Sequence, residues 1–247
     1  YLMLRLLLLI AFISTACNRS KYTDLSIEKL TNDKSLYDEY LIERVSGVHR
    51  LKGYTQTDSS FGILAVHGHY PLRWPSKGFE WTEAIKTLAK TQQPIWWYRH
   101  DWFACPDSTR SRLTIAIDSL TEKNPHLDSL WVIGHSLGGY IVSELAVYWE
   151  SEFPLTVHAI AAPLKRLNER FKICKTVEKD EYLIKPSIKY FQWRTDHKND
   201  SAFKNMDEDP QDVHIKNGHH ILLPPSWKEK RLGHNLSIQF VVDHLVK

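Results

Sequence analysis

The sequence is poor in cysteine, with three in 247 residues. None is spaced C-x-x-C, and none is set with histidine at a zinc-like interval, so neither a zinc module nor a dithiol redox motif is present and no metal site is read from the chain. No apolar run reaches the roughly 20 residues that a bilayer-spanning helix needs. Charge of one sign is also lacking: 32 basic and 29 acidic residues leave a formal net charge of +3, with no long basic run, which excludes a nucleic-acid partner. Neither an internal repeat nor a low-complexity tract occurs. What remains is an ordinary globular composition, 43% hydrophobic and 25% charged, in a length that holds one full-sized domain. Aromatics are the excess, with nine Trp and eleven Tyr; they serve to pack, or to line an apolar groove.

Residues 1–17 read as a processing segment. Arg5 precedes an apolar run from Leu6 to Ile13, then Ser14, Thr15, Ala16 and Cys17, which is the order of a secretory signal. Ala16-Cys17 also resembles the lipobox of bacterial lipoproteins, although Ser14 stands where that motif has Leu. Export is expected, as a lipoprotein attached to a membrane through Cys17, as a plainly cleaved periplasmic protein, or through an uncleaved apolar anchor. If Cys17 is lipidated, Cys105 and Cys174 remain, and sequence alone leaves their pairing open.

Residues 18–46 read as a polar tether followed by a helical lead-in, since Leu36, Tyr40, Leu41 and Val45 fall near helical spacing. Residues 47–247 read as a single α/β domain. Apolar runs at Phe61–Val66, Pro94–Tyr98, Leu130–Ile133, Thr156–Ala161 and Ser187–Arg194 predict buried strands. Gly78–Lys90, Ser108–Lys123, Tyr140–Glu150 and a terminal segment to Leu245 predict helices. That alternation implies a mostly parallel central sheet with helices on both faces. The interval between the strands ending near Ala161 and starting near Ser187 is too short for a large lid domain.

The strand at Leu130–Ile133 runs into Gly134-His135-Ser136-Leu137-Gly138-Gly139. G-x-S-x-G between a buried strand and a helix is a nucleophile elbow: the sharp turn strains the serine backbone and exposes its hydroxyl, and the glycines remove Cβ atoms that would collide with neighbouring chain. The helix N-terminus beneath it favours negative charge.

On these residues the chain resembles the α/β-hydrolase superfamily, specifically lipases and esterases with a GHSLGG elbow, from about Phe61 to the C-terminus. The resemblance implies a two-donor oxyanion hole. In that family a His-Gly dipeptide ends an earlier strand and the next residue donates its backbone N–H; here the dipeptide is His67-Gly68 and the donor His69. The second donor is the backbone N–H of Leu137.

A serine nucleophile needs a base, and the base an orienting acid. The fold's chain order is Ser, acid, His. Asp196 and Asp200 both follow the strand ending at Arg194. Asp200 is preferred because His197–Phe203 resembles the family's acid loop; Asp196, nearer the strand end, is the reserve. Downstream histidines are His214, His219, His220, His234 and His244. His234 is preferred, because Gly233-His234-Asn235-Leu236 opens a terminal helix as the family's catalytic His loop does. His219 and His220, after Gly218, are the reserve.

The expected activity is hydrolysis of a carboxylic ester, on a small or lipid-like acyl substrate, with no cofactor. The same triad could serve a thioesterase or an acyltransferase, and a surface lipoprotein could keep the fold without catalysis, since one fold hosts many chemistries.

Overall fold

The computed structural model of the protein describes residues 24–57, 59–167, 171–174 and 178–247. In chain order the strands are β1 (Leu25–Ser26), β2 (Gly47–Lys52), β3 (Phe61–Val66), β4 (Ile95–Arg99), β5 (Ser129–His135) and β6 (Leu155–Ile160). β7 (Glu181–Leu183), β8 (Ile188–Arg194), β9 (His214–Lys216), β10 (His219–Leu222), β11 (Ser226–Trp227) and β12 (Lys230–Arg231) follow. Eight of them form one sheet in the order β1-β2-β4-β3-β5-β6-β8-β10. Every neighbouring pair in it is parallel except β2 with β4.

Among the described residues four α-helices cover the sheet: α1 (Thr82–Ala89), α2 (Pro106–Lys123), α3 (Leu137–Tyr148) and α4 (Leu236–Leu245). α1 packs with α4 and α2 with α3, one pair on each face. β3 and β5 are buried along almost their whole length, as interior parallel strands covered on both sides must be. α2 opens with Pro106 in its first turn and turns Leu113, Ile117 and Leu120 inward. It stops at Asn124, whose side-chain amide donates to the Leu120 carbonyl at 2.7 Å, before Pro125.

β3, β4, β5, β6 and β8 lie within one or two residues of their sequence-based positions, whereas β1 and the short strands after β6 have no counterpart in the sequence reading. The segment between β6 and β8 contains no α-helix among its described residues. A disulfide joins Cys105, just before α2, to Cys174 in that segment, with Cα atoms 5.3 Å apart.

The region before β2 departs from its expected form. No helix forms over 35–45, and from residue 24 the chain is not a tether. Leu36 and Val45 are exposed while Tyr40, Leu41 and Ile42 are buried, so the apolar residues do not share one stripe. Side chains of the sheet hold the segment instead: the Trp97 indole N–H donates to the Leu41 carbonyl at 2.9 Å and Arg99 to that of Ile42 at 3.3 Å. Tyr40 donates to the Asp24 carbonyl at 2.5 Å, which closes the loop, and Glu39 takes φ 64°, outside any helix. The expected signal and lipidation segment, Cys17 included, lies outside the described residues. Among those described, no helix is long and apolar enough to cross a membrane.

Candidate active site

Ser136 stands between β5 and α3 with φ 55° and ψ −120°, a conformation that L residues adopt only under strain. The neighbours dictate it. A Cβ on Gly134 would lie 2.5 Å from the Gly138 carbonyl oxygen, and one on Gly138 would lie 2.4 Å from the carbonyl oxygens of Val66 and His67. The turn can therefore be this tight only without those side chains. The Ser136 N–H donates to the Ile160 carbonyl at 2.9 Å and its carbonyl accepts from Tyr140 at 3.0 Å, so sheet and helix grip it from both sides.

The chain after β3 comes up against the serine. A Cβ on Gly68 would lie 2.9 Å from the Ser136 Cβ. His67 is fully buried, stacked on His100 with ring centroids 4.0 Å apart. Its Nε2 accepts the His100 backbone N–H at 3.1 Å, so Nδ1 carries the proton and donates to the Gly68 carbonyl at 2.7 Å. The Gly68–His69 peptide is trans, so fixing that carbonyl also fixes the opposite direction of the His69 N–H. Burial, and then the neighbouring His100, pushes His67 well below the usual histidine range, so it stays a neutral clamp. His67 and His69 do not form a metal pair: His67 spends both ring nitrogens on backbone. Among the described residues no cluster of three or more His, Cys, Asp or Glu could hold a metal ion.

Across the cleft, His234 precedes α4 and its Nδ1–H donates to Asp200 Oδ2 at 2.9 Å. That tautomer leaves Nε2 with a free lone pair. Asp200 is fully buried and also accepts from the Thr195 hydroxyl at 2.6 Å and the Ala202 N–H at 2.8 Å. Burial raises its pKa, but His234, Thr195 and Ala202 together outweigh burial and hold it below the usual carboxylate range. Gln211 clamps Thr195 in turn, accepting its N–H at 3.0 Å and donating to its carbonyl at 3.1 Å. Gly233 lets the His234 loop settle on the acid loop, since a Cβ there would lie 3.0 Å from the Asn199 carbonyl oxygen.

His135 ties the two sides together. Its Nε2–H donates to the His234 backbone carbonyl at 2.9 Å, between residues 99 positions apart, and the same carbonyl accepts the Ser237 hydroxyl at 2.5 Å. Burial, then the adjacent His234, pushes His135 down to about 3, so it remains a neutral donor.

Ser136, His234, Leu137, Gly68 and His69 all line one cleft of about 360 Å³. The rest of its wall is largely apolar and aromatic, with Glu80 and Arg166 as its charged exceptions. Asp196 is elsewhere engaged: its carboxylate caps its own turn, accepting from the Lys198 N–H at 3.0 Å and the Asn199 amide at 2.8 Å. His219 and His220 lie exposed on the edge strand β10, where His219 stacks on Phe191, and neither lines the cleft. His214 on β9 and His244 near the end of α4 are exposed as well. Thr195, Gln211, His100, Tyr70 and Glu80 carry no sequence motif and emerge only from the folded geometry.

No family model matches the chain, and no curated protein matches it in sequence. Its fold is similar to that of solved structures. Est1E from Butyrivibrio proteoclasticus superposes with a TM-score of 0.50 at 10% identity, over 77% of this chain and 87% of that one. A lipase-esterase related protein from Clostridium acetobutylicum gives 0.50 at 13% identity, over 81% of this chain and 98% of the other. Together with the strand order and the elbow, this likeness shows that the chain has the α/β-hydrolase fold.

Proposed function

We propose that the protein is a serine hydrolase that cleaves carboxylic esters through an acyl-enzyme. The observation that carries this reading is the convergence on one cleft of a strained, cleft-lining Ser136 and a His234 whose Nδ1–H is held by the buried Asp200 at 2.9 Å. In this mechanism His234 Nε2 takes the Ser136 proton as Oγ attacks the ester carbonyl. The backbone N–H groups of His69 and Leu137 receive the developing oxyanion. Leu137 opens α3, so its N–H has no acceptor within the helix. His234 then hands its proton to the leaving alcohol, and water repeats the cycle to release the acid. Asp200 holds the imidazole tautomer and stabilises the imidazolium. Each oxyanion donor lowers the barrier by on the order of 3 kcal/mol.

A thioester or an acyl-transfer acceptor would use the same groups. The Cys105–Cys174 disulfide supports the exported reading, because such bonds persist in oxidising compartments. Labelling with a fluorophosphonate probe together with turnover of p-nitrophenyl acyl esters tests the reading. Stoichiometric labelling at Ser136 and ester turnover are expected. A folded protein that neither labels nor turns over any acyl ester overturns it and leaves a non-catalytic use of the fold.

A further inference from the structure

Glu80 is the one acidic residue among the described residues that line the cleft. It is part-buried in a wall where apolar surface predominates, in company with Tyr70, Trp74 and His234. Tyr70 donates its hydroxyl to Glu80 Oε1 at 2.5 Å. Among the described residues no Lys or Arg forms an ion pair with it. The cation nearest in sequence, Lys77, is committed elsewhere, to Glu39 at 3.0 Å and to the Trp74 carbonyl at 3.0 Å. Burial pushes the Glu80 carboxyl above the usual carboxylate range, against the opposing pull of the Tyr70 hydroxyl, the backbone amides of Glu80 and Gly78, and His234.

Charges taken out of water are stable when paired, and among the described residues Glu80 has hydrogen-bond donors but no Lys or Arg in ion-pair contact; Arg166, the other charged residue of the cleft, pairs with Glu178 at 3.8 Å. It lines the same cleft as Ser136, and Trp74 on that wall is an exposed aromatic residue of the kind that attracts cations. We propose that Glu80, seated by Tyr70, is the counter-charge for a cationic group on the substrate, so that the preferred substrates are esters carrying an amine or quaternary ammonium group. This rests on the ester-hydrolase reading of Ser136 and assigns its substrate class. A bound cation completes the missing ion pair, and the apolar wall excludes the water that would otherwise screen it.

The test compares kcat/KM within two nearly isosteric pairs. Acetylcholine against 3,3-dimethylbutyl acetate places the charge on the alcohol side, and ethyl glycinate against ethyl propanoate places it on the acyl side. An ammonium group also activates the carbonyl chemically, so the readout is the cationic-to-neutral ratio in the wild type divided by that in Glu80→Gln, a variant that keeps an acceptor for Tyr70. That quotient is expected to be at least tenfold in one pair or both, and a quotient near one in both overturns the proposal. A second measurement needs no variant: choline should inhibit turnover of a neutral ester by the wild type competitively and at least tenfold more strongly than 3,3-dimethylbutanol. Equal inhibition by the two alcohols also overturns it. Neutral-ester turnover and probe labelling report separately on Ser136, so a failure of the hydrolase reading is distinguishable from a failure of the cation subsite.

Discussion

Gly68 lies so close to Ser136 that a methyl group on it would stand 2.9 Å from the serine Cβ and 3.1 Å from the His135 carbonyl oxygen. The peptide that follows it carries the His69 N–H. Gly68→Ala is therefore expected to push this loop off the elbow, lowering kcat/KM by about two orders of magnitude and stability by about 1–3 kcal/mol. Steady-state kinetics and urea unfolding check both.

The strain at Ser136 makes two substitutions behave differently. Ser136→Ala and Ser136→Gly should both abolish turnover and probe labelling. At φ 55° and ψ −120° only glycine is free of strain, so Ser136→Gly should exceed Ser136→Ala in stability by about 1 kcal/mol or more. Equal melting temperatures would show that the turn stores no strain.

His234→Ala and Asp200→Asn should each lower kcat by about three or more orders of magnitude with little change in KM. Asp196→Asn, His219→Ala and His220→Ala should leave kcat within a few-fold of wild type. A severe loss in Asp196→Asn would move the acid to that residue.

The buried neutral histidines tie stability to pH. His100 is pushed down to about 4, and His135 and His158 to about 3, chiefly by burial. The unfolded chain binds these protons near pH 6.5 and the folded chain does not. Stability is therefore fully present above about pH 6.5 and declines as the pH falls toward about 4. The slope is about 1.4 kcal/mol per pH unit for each histidine. Urea unfolding at pH 7.5, 6 and 5 measures it, and equal stabilities across that range would contradict it.

The disulfide closes a loop between residues 69 apart in sequence, for which chain entropy alone gives about 4 kcal/mol. Phe171 lines the cleft, and its carbonyl accepts the Cys174 N–H at 2.9 Å. Removing the bond with Cys105→Ser and Cys174→Ser together should lower the melting temperature. It should also raise KM more than it lowers kcat, because a substrate wall loosens while Ser136 and His234 keep their own supports.

The parts visible in the sequence are those with a repeating or local cause. Interior parallel strands such as β3 and β5 need unbroken apolar runs, and the elbow needs Gly134 and Gly138 at fixed offsets from Ser136. The segment from residue 24 to 46 escaped because it is held by single bonds from Tyr40, Trp97 and Arg99, which leave no period. β10 escaped because an exposed edge strand carries no apolar run. Asp196 and Asp200 differ only in what surrounds them: Asp196 satisfies its own turn, whereas Asp200 is enclosed by Thr195, Ala202 and His234. Gln211 and Glu80 meet Thr195 and Tyr70 across 16 and 10 residues of chain, intervals that no local period marks.

The bond from His135 to the His234 carbonyl makes the residue before Ser136 a part of the loop that carries His234. The two motifs are accordingly one structural unit despite their separation in the chain. A change at residue 135 that removes the ring donor should be tolerated only alongside a compensating change at residue 237 or in the turn entering α4. Grafting the elbow into another scaffold without its C-terminal helix would transplant the serine without its mooring.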